Sequence, residues 1–258
     1  MIDNTSVTKE IRKTFIDFAK SNNLTIGVHF MDTSKDDCLI NSLHRMYNKF
    51  GQIYMHSSDI PKNTPLASND FVISAIFAMA KIFEKPNKSE GFDQIEVTKF
   101  KRIDSFNYIN KALFIDLDGT VRRSKGVEQY PIEFTDVEII KGSMEIIKEY
   151  KSKGYKIIAV TNQSGISKGT VTAIRVKELI EHTNKLLDGV IDDFDYCPHL
   201  PPKEICYCRK PQSGMGVKMM HKHMLDLSKS IMVGDSTSDK TFGERLGMQF
   251  IHADNFLK

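Results

Sequence analysis

Three of the four cysteines and one histidine of this 258-residue chain fall within twelve residues, from Cys197-Pro-His199 to Cys206-Tyr-Cys208. A tetrahedral zinc ion takes four convergent thiolate and imidazole ligands, and two close pairs joined by a short loop supply them. Four protein ligands leave no position for water, so such an ion is structural. It would pin the loop that carries Arg209 and Lys210, which follow Cys208 directly. Three further motifs share this half of the chain, each after an apolar run: Asp116-Leu-Asp118-Gly-Thr120, Thr161-Asn-Gln-Ser-Gly and Gly234-Asp235-x-x-x-Asp239. Hydrolysis of a phosphate ester needs a nucleophile, an acid for the leaving oxygen and cations against the phosphoryl charge. Asp116 is the candidate nucleophile, and Asp118 the general acid that later serves as base toward water. Asp116 and Asp235 can share Mg²⁺, which prefers a few carboxylates plus water and phosphate oxygens. Thr161 offers a hydroxyl and a backbone N–H to the phosphate, and Lys210 a point charge.

The elements that must position these groups alternate strand and helix. Ala112-Leu-Phe-Ile115, Lys156-Ile-Ile-Ala-Val160 and Ser230-Ile-Met-Val233 are continuous apolar runs of the type buried in a parallel sheet. Between them, Met144, Ile147 and Tyr150 share a helix face that stops at Gly154, and Val176, Leu179, Ile180 and Leu187 mark a longer helix. Repeated βα units predict an α/β fold with a doubly wound parallel sheet, in which Asp116, Thr161 and Asp235 lie together beyond the carboxyl ends of the strands.

This constellation resembles the haloacid dehalogenase superfamily, whose DxDxT, Thr, Lys and GDxxxD motifs correspond to Asp116/Asp118/Thr120, Thr161, Lys210 and Asp235/Asp239. The DxDGT form is similar to that of its phosphatases, and the resemblance implies an aspartyl-phosphate on Asp116. It also implies that Asp116, Asp118 and Asp235 hold Mg²⁺ and that Thr120, Asn162, Arg209 and Asp239 bind substrate, while the spacing of Cys197, His199, Cys206 and Cys208 assigns them the structural zinc. The intervals after the first and second motifs are too short for a large cap, so an open site is expected.

Two narrower resemblances compete. Cys-Pro-His-Leu-Pro…Cys-Tyr-Cys-Arg-Lys-Pro is similar to the zinc loop of histidinol-phosphate and heptose bisphosphate phosphatases, which act on small metabolites. Residues 112–126, 155–170 and the tail from Asp239 are similar to polynucleotide kinase/3′-phosphatases. Residues 8–46, with Asp32-Thr-Ser and Arg45, resemble the late half of a polynucleotide kinase domain, and 83–97, FEKPNKSEGFDQIEV, its closing segment. No Gly-x-x-x-x-Gly-Lys-[Ser/Thr] loop is present, so no kinase activity is expected of this chain alone. The expected division is a partial kinase-like α/β region over 1–105 and a phosphatase domain over 106–258.

The leading expectation is therefore a Mg²⁺-dependent polynucleotide 3′-phosphatase acting on phosphorylated nucleic-acid ends, with a possible partner chain that supplies a kinase phosphate loop. The alternatives are a small-molecule phosphatase of the histidinol-phosphate or heptose type, and a non-catalytic scaffold binding a kinase partner or nucleic acid. Arg122, Arg123 and Lys125, just after the nucleophile, read either as cations for backbone phosphates or as a solvated turn. His221 and His223 cannot share a helix face and read as solvated.

Composition sets wide limits. Lys plus Arg number 36 against 33 Asp plus Glu, a net charge of +3, which is no basic coat for nucleic acid. The clustered cysteines suit a reducing compartment and a metal better than disulfides. With no long apolar run and no secretion signal, the expectation is a soluble, intracellular protein, cytoplasmic or nuclear, without a membrane partner.

Overall fold

The computed structural model describes residues 6–55, 59, 73–101, 106–202 and 205–258. The boundary expected near residue 105 lies outside the described residues.

The first helix, α1 (Lys9–Ser21), starts where Thr8 caps the N–H of Ile11. The apolar stripe of Ile11, Phe15, Phe18 and Ala19 suggests the buried face, but Ile11 and Phe18 are exposed and the buried positions are Arg12, Ile16 and Ala19. A bidentate ion pair decides this: Arg12 Nε and Nη2 donate to Glu90 at 2.8 and 3.0 Å, and Nη1 donates to the Ser6 carbonyl at 2.9 Å. The Arg12 guanidinium in turn holds the Glu90 carboxyl below the usual range. Strand β1 (Gly27–Asp32) follows, then α2 (Lys35–Phe50), capped by Ser34. After α3 (Ile73–Ile82), β2 (Gln94–Lys99) pairs in parallel with β1, so segments sixty residues and more apart form one small sheet.

The larger unit begins at β3 (Lys111–Ile115). A short antiparallel pair, β4 (Arg122–Ser124) and β5 (Val137–Ile139), follows the first motif. Helix α4 (Ser143–Ser152) turns through Gly154, φ +81°, into β6 (Tyr155–Asn162). The chain continues through α5 (Gly165–Lys168), α6 (Ala173–Leu186), β7 (Asp193–Cys197), α7 (Gly214–His223), β8 (Ile231–Gly234), α8 (Thr237–Arg245), β9 (Gln249–His252) and α9 (Ala253–Phe256). The five long strands form a parallel sheet in the order β7-β6-β3-β8-β9. The expected doubly wound sheet is present, and between β3 and β6 only the β4–β5 pair, its loop and α4 intervene, with no large cap.

Both faces of the sheet are covered. Ala112 and Phe114 of β3 point to one core and Leu113 and Ile115 to the other, the alternation a strand imposes. One core packs under α4, α6 and α9. The other runs under α7 and on into the N-terminal region, where Leu39, Ile40, Leu43 and Met46 of α2 join Met215, Met219 and Met220 in a single buried cluster. His221 belongs to this contact. It is buried, stacked on Tyr47 at 3.7 Å, and hydrogen-bonded to His44 and Tyr108, both at 3.1 Å. The expectation that it is solvated is corrected: α7 turns His221 toward α2 and leaves His223 to pair with Asp193. No helix among the described residues is long and apolar enough to cross a membrane.

Candidate active site

Strand β3 is the point where the winding reverses, since the chain moves from it to β6 and β7 on one side and later to β8 and β9 on the other. A crevice forms beyond the carboxyl end of such a strand. Asp116 follows β3 immediately, Thr161 is the penultimate residue of β6, and Asp235 follows β8. These three, with Asp118, Asn162, Lys210 and Asp239, line one cleft of about 180 Å³. Ser236 and Ser238 line it too. Gly119 makes the approach possible: at φ +89° it takes a left-handed turn, and a Cβ there would collide with the Asp235 carboxylate.

Lys210 is the hub of the charge arrangement. Its ammonium lies 2.6 Å from Asp116 Oδ1 and 2.6 Å from Asp239 Oδ1, and donates to the Val160 carbonyl at 2.7 Å. Burial works to lower the Lys210 pKa, but Asp116 and Asp239 outweigh it and hold the lysine above its ordinary range. Burial pushes Asp116 up to about 7 against the pull of Lys210, with Asp239 and Asp118 adding to the rise. Asn162 fixes the lysine's backbone: its amide donates to the Lys210 carbonyl at 3.1 Å and its side-chain oxygen accepts from the Lys210 N–H at 3.0 Å. The residue expected to bind substrate thus clamps the loop that carries the cation.

The carboxylates group differently from the expectation. Asp116, Asp235 and Asp239 each offer an oxygen, all within 4.8 Å of one another. Ser236 caps α8 and Asp239 reaches back to the Ser236 N–H at 3.1 Å, a reciprocal capping box that draws the aspartate of Gly-Asp-x-x-x-Asp into the cleft. Asp239 Oδ1 is buried and, although near Lys210, has no aligned hydrogen bond. Three convergent carboxylates balanced by one lysine, with such an oxygen among them, fit a divalent cation. Asp239, expected at the substrate, is the third member of this group. Asp118, expected in it, lines the cleft but stands outside this group: it accepts from Arg122 Nε at 2.8 Å and from Gln163 Nε2 at 2.7 Å. Arg122 is buried, with Nη1 donating to Thr183 Oγ1 at 2.7 Å and to the Leu179 carbonyl at 3.2 Å. Gln163 also donates to Thr161 Oγ1 at 3.0 Å.

The placement of Arg122 corrects the expectation that it meets a polyanion; its neighbour Arg123 pairs with Glu138 at 2.8 Å. Thr120 is fully buried, and Arg209 donates to the His199 carbonyl at 3.0 Å; neither lines the cleft. Arg122 and Gln163, the partners of Asp118, are not among the residues that the motifs assign to the site. Their only signal is proximity, four residues after Asp118 and two after Thr161. The Ser-x-x-Asp pattern at Ser236 was readable as a capping box.

The cysteine loop closes as its spacing predicts. Cys197 ends β7, and its Sγ lies 3.7 Å from Cys206 Sγ and 3.5 Å from His199 Nδ1, which is 3.2 Å from Cys208 Sγ. Zn–S bonds of about 2.3 Å in a tetrahedron give an S···S edge of about 3.8 Å, so these donors fit zinc. Ionising one thiol holds its neighbours protonated: hydrogen bonds from Cys197 and Cys208 push Cys206 down, and both partners are raised. A bound dication would remove that competition.

The profile of the polynucleotide kinase 3 phosphatase family matches residues 111–257. A D-glycero-beta-D-manno-heptose-1,7-bisphosphate 7-phosphatase of Helicobacter pylori is 38% identical over 138 residues, covering 52% of this chain and 78% of that one. A probable D-glycero-D-manno-heptose-1,7-bisphosphate 7-phosphatase of Thermoplasma volcanium is 36% identical over 144 residues, covering 54% and 96%. Among solved structures, a D,D-heptose 1,7-bisphosphate phosphatase of B. bronchiseptica complexed with magnesium and phosphate aligns with TM-score 0.49 at 24% identity, covering 54% of this chain and 78% of that one.

Proposed function

The chain belongs to the polynucleotide kinase 3 phosphatase family through residues 111–257, and from that premise we propose that it hydrolyses the phosphate ester of a small sugar phosphate of the heptose bisphosphate type. It is an enzyme, a phosphatase of the haloacid dehalogenase type. The narrower reading is carried by the relative 38% identical across 78% of its own length, whose name gives it that substrate. The closed Cys/His loop supports the same reading. A polynucleotide 3′-end is the second reading, favoured by the family's description. Weighing against it, Arg122 is buried on Asp118 and Arg123 is paired with Glu138. Of the three cations expected to meet a phosphate backbone, Arg122 is thus withdrawn, while Arg123 stays largely exposed in a surface ion pair.

Residues of this chain account for each step. An Asp116 carboxylate oxygen attacks phosphorus while the ester P–O bond breaks, and Asp118 gives its proton to the leaving oxygen. Water then attacks the aspartyl-phosphate, passing a proton to Asp118 and releasing inorganic phosphate with Asp116 restored. Lys210 and Thr161 line the cleft, and their ammonium and hydroxyl stabilise the phosphoryl oxygens in the proposed reaction. A divalent ion held by Asp116, Asp235 and Asp239 would supply further charge against the phosphoryl group.

Phosphate release from a heptose bisphosphate, from histidinol phosphate and from a 3′-phosphorylated oligonucleotide, measured side by side with Asp116→Asn as blank, tests the proposal. A kcat/KM for a sugar phosphate that exceeds that for the oligonucleotide by orders of magnitude is expected. The reverse order establishes the second reading.

A further inference from the structure

The N-terminal region lies outside the matched residues 111–257, and hydrolysis as described makes no use of it. Its contacts nonetheless converge on one short segment, the loop that bears Lys210. Tyr207, between two of the cysteines, is buried, and its hydroxyl shares a 3.0 Å hydrogen bond with Ser42 of α2, itself fully buried. The Tyr207 backbone N–H donates to the Met55 carbonyl at 3.0 Å. On the other side of the lysine, Arg245 at the end of α8 lies 3.0 Å from Asp36 in the first turn of α2, and its Nη1 donates to the Pro211 carbonyl at 2.8 Å. Residues three before and one after Lys210 are therefore both tied to α2. The helix is a stiff bar, and the shared core of Leu39, Leu43 and Met46 with the methionines of α7 seats it against the phosphatase layer.

We propose that the N-terminal region positions the active-site lysine: α2 acts as a brace, through Ser42–Tyr207 and Asp36–Arg245–Pro211, that sets where the Lys210 ammonium sits against Asp116 and the phosphoryl group. Asn162 and the Cys/His loop hold the same segment from the phosphatase side. The lysine sits 2.6 Å from two carboxylates, and a shift of well under an ångström trades one contact for the other. Ser42, Asp36, Tyr207 and Arg245 are positioning residues, since none of them lines the cleft.

The inference rests on Lys210 acting on the phosphoryl group, and the test separates the two. Inhibition by orthovanadate and by inorganic phosphate is measured for the full chain with Asp36→Asn, Asp36→Glu and Ser42→Ala, and for Lys210→Ala alone and combined with Asp36→Asn. Circular dichroism melts and zinc content are recorded for each. The expected result is a rise of about threefold to tenfold in both inhibition constants for Asp36→Asn and Ser42→Ala, with largely unchanged melts, and recovery in Asp36→Glu. Asp36→Asn should add nothing to Lys210→Ala, because a brace on a missing ammonium has no load. Equal losses with and without the lysine, or inhibition constants unmoved in both α2 variants, overturn the brace. Unchanged inhibition in Lys210→Ala overturns instead the role given to the lysine in hydrolysis.

Discussion

Asp116 has to be ionised to attack, yet burial raises it to about 7, so its charge depends on cations supplied by neighbours. Lys210 is one, and a divalent ion is the other that the carboxylate group fits. The acid limb of kcat/KM should therefore lie near pH 7 at limiting Mg²⁺ and move to lower pH as Mg²⁺ is raised, because a nearby dication favours the ionised form. A limb that ignores Mg²⁺ would separate the nucleophile from the metal. Asp118 poses a different question, since it must alternate between acid and base while two side chains aim it. Arg122→Gln should slow hydrolysis of an alkyl phosphate by about tenfold to a hundredfold. It should cost less with p-nitrophenyl phosphate, whose leaving oxygen needs no proton. Equal losses on both esters would mean that Arg122 merely holds α6 to the hairpin.

Among the elements, the loop from Cys197 to Lys210 stands out because it is irregular backbone asked to deliver a buried charge. Among its described residues, between the end of β7 and the start of α7, there is no strand or helix, so its order has to come from side chains. Four donors spaced for zinc supply this at one end and Asn162 at the other. Cys206→Ser should lower zinc content, the melting temperature and kcat together, since losing a structural zinc costs several kcal/mol and frees the lysine. Elemental analysis beside a thermal melt and a rate measurement checks this. A variant that lost its zinc and kept its rate would show that the loop stands without the ion. The turn after β3 is under a tighter constraint. Gly119→Ala meets both a left-handed φ and the Asp235 carboxylate, so activity should fall more than stability does.

At the scale of the whole molecule, one hydrophobic core crosses the division that the motifs suggest. Leu43 and Met46 are fully buried against residues of α7, so the N-terminal region contributes to the phosphatase layer's interior. Leu43→Ala should cost about 2–5 kcal/mol in urea unfolding followed by circular dichroism, with activity lost in the same transition. A chain starting at residue 106 would expose the Met-rich face of α7 and should be poorly soluble. Two separate unfolding transitions, or a well-folded truncated chain, would contradict this picture of a shared core.

The sequence by itself determined the order of strands and helices around the motifs, the sheet edge where they meet, the closure of the Cys/His loop and the place of Asp116 at the end of β3. Those are properties of periodicity and short spacing, and a residue that follows an apolar strand has little freedom in where it ends up. The tertiary structure alone decided what each polar side chain pairs with. Arg122 reads as an exposed cation and is buried on Asp118; Asp239 joins Asp116 and Asp235 through a helix cap that turns it inward; Asn162 holds a loop; Arg12 takes a buried place that the apolar stripe suggests for Ile11 and Phe18. In each case the partner lies on another element, tens of residues away or folded back by a turn. Ion pairs and hydrogen bonds are fixed by the packing of those elements, which leaves no regular period in the chain to read.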